Sequence, residues 1–274
     1  MIRKVQGVNL SMPRSHRLPD YAAIDGQYGQ NLVHLAALLA EDDELTVLDV
    51  GANIGDSAVQ ILHAAEGRVL CVEADPFYLR YLHLNADPDP RITVVEALLA
   101  PGASQKAASA VRVGGTTRFA EGVAADAMPV VAVTALSKLH PEFDRLRLVK
   151  SDTDGYDTTL IQVIAQTWSD ASPVLFFEYD HVLTRLAGHD PVMVWDCLAD
   201  LGYTVVAVWD NDGHPLGRTT VDRVAEQASI LDEPFKQRGY HYWDVAVVHG
   251  ADASGLRAVE SLVPGFLADE PLPT

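Results

Sequence analysis

Three carboxylates crowd the stretch Asp152-Thr153-Asp154-Gly155-Tyr156-Asp157, directly behind an apolar run that ends at Lys150. Carboxylates so placed can move a proton, hold a cation or cap a helix. Leu160, Ile161, Val163 and Ile164 follow at helical spacing, so Asp157 reads as a helix cap. Asp154 precedes a glycine and suits a turn. Asp152 comes straight after the strand pattern and should face a cleft, which makes it the candidate catalytic group. A second cluster, Glu178-Tyr179-Asp180-His181, ends the next apolar run. If the two strands are neighbours, Asp152, Glu178 and Asp180 converge, and oxygen ligands of that kind suit Mg²⁺. Such an ion would lower the pKa of a bound hydroxyl. The alternative is a set of hydrated strand ends. His181 is a candidate general base, although an exposed histidine often has no role.

A third constellation is Val47-Leu48-Asp49-Val50-Gly51-Ala52-Asn53-Ile54-Gly55. A strand runs into a tight loop and a helix start, a junction at which backbone N–H groups and the helix dipole can face a cofactor. Dinucleotide loops usually read G-x-G-x-x-G. Here the spacing is G-x-x-x-G, with Asn53 where the second glycine would stand. Asp49 sits just before the loop; a carboxylate there repels a pyrophosphate but suits a cofactor bearing a sulfonium and an amino group. Glu73, 22 residues after Gly51, can accept hydrogen bonds from both ribose hydroxyls. Asp49, Gly51, Asn53, Gly55, Glu73, Ala74 and Ala97 form the expected cofactor set. The loop resembles the S-adenosylmethionine loop of class I methyltransferases.

Elements must hold these residues together. Strand patterns at 46–50, 68–73, 92–98, 146–150, 173–178, 203–209 and 242–248 alternate with helical ones at 28–39, 57–65, 76–85, 158–168 and 192–201. Asp75 and Pro76 start a helix as cap and first residue. Val111, Val113, Thr116, Thr117 and Phe119 flank Gly114-Gly115 and predict a hairpin, with a loop at 121–129. A strand at 130–134 and a short helix at 135–139 follow. Residues 1–27 lack periodicity and read as an arm; 214–239 have no clear pattern, and 250–274 read as a loose or peripheral tail. The alternation predicts a doubly wound, mostly parallel sheet whose strand ends form the site. The domain division is 1–45 for the arm and first helix, a lid candidate; 46–249 for the cofactor-binding domain; and 250–274 for the tail.

The net charge is 20 − 38 = −18, which argues against sequence-independent binding to nucleic acid or to anionic membranes. No stretch approaches the roughly 20 apolar residues of a membrane span, and Met1-Ile2-Arg3-Lys4-Val5-Gln6 lacks a signal-peptide pattern. A cytoplasmic protein is expected. Cys71 and Cys197 both lie in apolar contexts and read as buried reduced thiols. The four tryptophans are spread over element patterns and read as core.

The chain resembles the FkbM family of S-adenosylmethionine-dependent methyltransferases over roughly residues 20–250. The resemblance rests on Tyr28-Gly29-Gln30-Asn31-Leu32-Val33, on 48–55 with Glu73, on Val131-Ala132-Val133-Thr134-Ala135-Leu136, and above all on 148–157. That last stretch matches the pattern Lys, any, Asp, any, acid, Gly, any, acid. Glu178 and Leu201-Gly202-Tyr203 also fit. Ser151 departs from a usual aliphatic residue, and Asp154 and Asp157 stand where glutamates are commoner. The resemblance implies a Rossmann-like class I methyltransferase fold with a seven-stranded sheet, and methyl transfer, usually to a hydroxyl of a secondary metabolite, sugar or lipid. An amine acceptor, a nicotinamide-dependent oxidoreductase and an inactive scaffold are the alternatives. The partner is a small-molecule acceptor, and a homo-oligomer stays open.

Overall fold

The computed structural model describes residues 1–42, 44–102, 108–113, 116–121 and 128–267. The N-terminal arm is a small structure of its own. Strands β1 (Ile2–Val5) and β2 (Val8–Ser11) pair antiparallel around Gln6 and Gly7. Both turn residues have positive φ, the backbone a two-residue hairpin turn requires. Leu10 and Met12, fully buried, join Val5, Val8, Leu18, Ile54 and Tyr78 in a satellite core. Helices α1 (Leu18–Ile24) and α2 (Gln30–Leu39) follow.

The main alternation is β3 (Leu45–Val50), α3 (Asp56–Ala64), β4 (Gly67–Glu73), α4 (Pro76–Ala86) and β5 (Ile92–Glu96). Asp75 caps α4, its carboxylate accepting from the Phe77 N–H. The third strand pattern breaks at Ala97, and β6 (Leu98–Ala100) pairs instead with a later strand, β9 (Val130–Ala132). Between them β7 (Ala108–Val113) and β8 (Thr116–Glu121) pair antiparallel, the expected hairpin insertion; its Gly114-Gly115 turn and most of the 121–129 loop fall outside the described residues. After α5 (Val133–Leu139) come β10 (Leu148–Ser151), α6 (Asp157–Thr167), β11 (Val174–Tyr179), α7 (His181–Leu186), α8 (Met193–Asp200) and β12 (Tyr203–Asp210). The stretch 214–239, unassigned from sequence, holds β13 (Pro215–Thr220), α9 (Val221–Gln227) and α10 (Phe235–Arg238). The chain returns in β14 (Trp243–His249) and α11 (Ala253–Leu262).

The central sheet runs β13-β12-β14-β11-β10-β3-β4-β5. Pairings from β11 through β5 are parallel, and β14 is antiparallel to both β11 and β12. The Rossmann-like, doubly wound, mostly parallel architecture expected from the alternation is therefore present, with eight strands rather than seven because β13 extends the edge. Two large cores cover its faces. All four tryptophans are buried, as read; Cys71 is buried but Cys197 only half-buried, and both are free.

The tail differs from expectation. Residues 253–262 form a helix whose Ala258 and Val259 enter the core below α2, and Val263 just behind it is buried too. Arg147 clamps its N-cap residue Asp252 at 2.6 Å. Only half of its ten residues are apolar, and they are interspersed with polar ones, so a strongly amphipathic helix reads as surface chain. Val259→Ala should cost about 1–3 kcal/mol in a denaturant melt, the loss of two buried carbons plus the cavity. A change within about 0.5 kcal/mol, the scale of surface substitutions, would show the helix undocked.

Candidate active site

The side chains of neighbouring strands fall on one face of a sheet in rows. Parallel register sets Asp49 beside Lys150 and Lys150 beside Phe176. One step toward the strand ends, β14 sets Asp244 opposite Glu178. Asp49, Lys150, Glu178 and Asp244 thus share the face covered by α2. Lys150, Asp152, Glu178 and Asp244 line one cleft there, with Tyr28 and Asn31 on its α2 side.

Lys150 is its hub. The ammonium is almost fully buried, 3.1 Å from Asp49 Oδ1 and 3.8 Å from Asp152 Oδ2, and it donates to the Gly51 carbonyl at 2.9 Å. Burial pushes Lys150 down, but Asp49, Asp152 and Asp56 together outweigh it and keep the ammonium charged. Asp49 is 0% exposed; burial pushes its carboxyl up and Lys150 pulls it back. Apart from the ion pair, neither oxygen of Asp49 accepts a hydrogen bond among the described residues.

The loop above differs from an anion cradle. Gly51 and Ala52 donate their N–H groups to the Val72 carbonyl, Asn53 donates to Glu73 Oε2 at 2.8 Å, and Gly55 donates to Ala52. Gly51 adopts φ +73°, and a Cβ there would stand 2.0 Å from the Asp152 carbonyl oxygen, so only glycine lets loop and strand end meet. Glu73 Oε1 also accepts from the N–H groups of Ala74 and Asp75. Three of its roughly four acceptor positions are filled, leaving room for one ribose hydroxyl in this conformation rather than the two expected. The Ala74 N–H is held by Glu73, and that of Ala97 by the Glu73 carbonyl at 2.9 Å. His16 of the arm reaches Asn53 Oδ1 at 3.2 Å, and Gln6 lines the cleft.

Asp152 stands at the mouth, its side chain 55% exposed. The other expected catalytic and metal residues are placed elsewhere. His181 is 2% exposed, with Nδ1 2.9 Å from Asp232 and Nε2 3.1 Å from the Tyr179 hydroxyl, so it faces the core and not the cleft. Asp180 is the N-cap of α7, its Oδ1 accepting from Val182 and Leu183. The trio Asp152, Glu178 and Asp180 therefore does not converge, and among the described residues no group of three or more His, Cys, Asp or Glu could hold a metal ion. The residues present do not fit the expected Mg²⁺. Asp157 is no cap either. It is the first residue of α6, and its Oδ1 gathers Ser151 Oγ, Thr153 N and Thr153 Oγ1, fastening the loop that carries Asp152. Two of the three departures from the expected pattern are thus bonded to each other, Ser151 Oγ to Asp157 at 2.6 Å.

Sequence reasoning passed over Asn31, Asp56, Tyr242 and Asp244, all in the cleft wall, and gave Lys150 no role. The signal for Asp244 was a carboxylate inside the otherwise apolar run 243–248. Lys150 carried the same signal, alternating with Leu148 and Asp152 on one strand face.

No family model matches the chain, and no curated protein matches it. Solved structures resemble it at low identity. Precorrin-6y C5,15-methyltransferase from Geobacter metallireducens GS-15 is 13% identical, covering 88% of this chain and 93% of that chain at a TM-score of 0.45. N-methyltransferase NodS from Bradyrhizobium japonicum WM9, in complex with S-adenosyl-L-homocysteine, is 11% identical over 81% and 87%, at 0.42. Spermidine synthase in complex with the transition state analogue AdoDATO is 11% identical over 100% and 72%, at 0.46. These are likenesses of fold, and none singles out the FkbM family. Among the described residues no helix is long and apolar enough to cross a membrane.

The buried acids give the ligand-free protein a distinctive pH dependence. Burial raises Glu73 from 4.5 to about 7 against its three N–H donors, and raises Asp244 from 3.8 to about 7 against the Asn31 amide. The native state therefore binds more protons than the unfolded chain between these limits, and stability falls as pH rises through them. The melting temperature of ligand-free protein should drop from about pH 4 to about pH 7, and Asp244→Asn should flatten part of that slope. Asp232, held at about 2 chiefly by Arg185, acts in the opposite sense only below pH 3.8. A melting temperature that rises across the window would contradict this account. Separately, Lys150→Met should cost about 3–5 kcal/mol by stranding Asp49, and adding Asp49→Asn should restore part of it.

Proposed function

We propose that this chain is an S-adenosylmethionine-dependent methyltransferase acting on a hydroxyl of a small molecule, in the manner of the FkbM family. One observation carries the cofactor assignment. Beneath a loop in which the N–H groups of Gly51, Ala52, Asn53 and Gly55 are already engaged lies a fully buried carboxylate, Asp49, with acceptor positions unfilled among the described residues. A dinucleotide pyrophosphate needs free N–H donors at that point and meets a buried negative charge instead. A cofactor with cationic sulfonium and ammonium groups suits it. That cofactor supplies an already activated methyl group.

The protein's task is then alignment and proton removal. Glu73 fixes the loop through Asn53 and presents a carboxylate for the ribose. Asp152, anchored beside Gly51 and exposed at the mouth, is the group to accept the acceptor's hydroxyl proton. Lys150 Nζ stands 3.8 Å from its Oδ2. The arm acts as the lid, since His16 already rests on Asn53 and Gln6 lines the cleft. A lid of this kind keeps water from the reacting centre.

Calorimetry should show binding of S-adenosylhomocysteine and none of NAD. Glu73→Ala should weaken that binding by about 1–3 kcal/mol, the scale of hydrogen bonds to a charged group. Asp152→Asn, which keeps shape and removes charge, should reduce methyl transfer far more than cofactor affinity. Preferential binding of NAD would overturn the assignment.

A further inference from the structure

Glu178 and Asp244 lie directly opposite each other on antiparallel strands, and like charges so placed repel. Asp244 is balanced in part, since Asn31 donates to its Oδ2 at 2.9 Å. Glu178 is not: its Oε1 is buried and accepts no hydrogen bond among the described residues. Both carboxylates line the cleft, together with the aromatic side chains of Tyr28 and Tyr242. A buried acceptor without a donor is costly, and Glu178 Oε1, facing a second carboxylate and aromatic rings, forms a setting that a cation relieves.

The cofactor's own cationic groups do not explain this pair. They belong at the loop after β3, whereas β11 and β14 are two and three strands away. At the usual strand spacing that is roughly 10 and 14 Å. From this we infer that Glu178 and Asp244 form an anchoring subsite for a protonated amine on the methyl acceptor, with Tyr28 and Tyr242 as its walls. The acceptor is thus an amino alcohol or amino sugar in chemical class. The carboxylates hold the nitrogen protonated, and a protonated nitrogen has no lone pair to take a methyl group. The amine is therefore a handle, and the reacting atom is a hydroxyl elsewhere on the molecule, within reach of Asp152. In the ligand-free protein burial and the surrounding acids, Asp152 foremost, push Glu178 well up.

This inference rests on the methyltransferase reading, and the test separates the two. S-adenosylhomocysteine binding to the full chain decides the reading. The subsite is tested with trans-4-aminocyclohexanol against cyclohexane-1,4-diol, which differ only in the amine, with and without S-adenosylhomocysteine. At about pH 7.5, where the amine is protonated, it should bind at least about tenfold more tightly than the diol, the minimum for one charge-assisted contact. Glu178→Gln should remove that preference while S-adenosylhomocysteine binding is retained, and Asp244→Asn provides the same test should the first variant fail to fold. Equal binding of the two probes, or no binding of the amine up to about 10 mM, would overturn the subsite. So would a Glu178→Gln protein that keeps the preference, or one that instead loses S-adenosylhomocysteine.

Discussion

A single buried ammonium organises the site. Lys150 reaches the carboxylate before the Gly51–Gly55 loop, the carbonyl that opens the loop and the carboxylate at the mouth. Without it, Asp49 would be an unpaired charge at the bottom of the sheet, a state that normally resolves by protonation. With it, negative charge can be kept where a cationic cofactor would need it. The pair is no large source of stability by itself, because desolvation offsets much of the Coulomb gain. What it provides is position. The β3–β10 pairing, the Gly51 turn and Asp152 are held in one register.

A second layer of fastening surrounds that pair. Asp157 gathers the loop behind Asp152, and a Cβ on Gly155 would collide with the Leu183 carbonyl at 2.4 Å, so this loop lies flush against α7. Asp180 and His181, which look like chemistry in the sequence, belong to the fastening. One caps α7, and the other ties it to Asp232 and Tyr179. The positioned carboxylates are therefore those on the α2 face of the sheet, and the polar groups on neighbouring positions hold the frame.

Most of the sheet was legible because its strands are apolar runs bounded by turn residues, and the loop with its downstream Glu73 marked the strand ends where the cleft opens. The arm was not. Its strands have four residues each, too few for alternation to stand out, and its packing partners Ile54 and Tyr78 are distant in sequence. The metal trio failed for a simple geometric reason. Glu178 and Asp180 share a parity along the chain, but the strand ends at Tyr179, and Asp180 turns away to begin a helix. Asp244 escaped notice because its pairing with Glu178 depends on β14 entering antiparallel between β11 and β12, which no local pattern announces.

That late entry has a consequence for the chain's assembly. The hydrogen bond from Asn31 to Asp244 spans 213 residues, and β14 is the last strand of the central sheet to be made among the described residues. During synthesis β11 and β12 cannot meet their shared neighbour until residues 243–249 have left the ribosome. Through that interval two long apolar edges stand open, the condition under which nascent chains pair wrongly or recruit chaperones. Closure of such distant contacts is intrinsically slow. The same step completes the acidic cleft, so a truncated product would lack one wall of it.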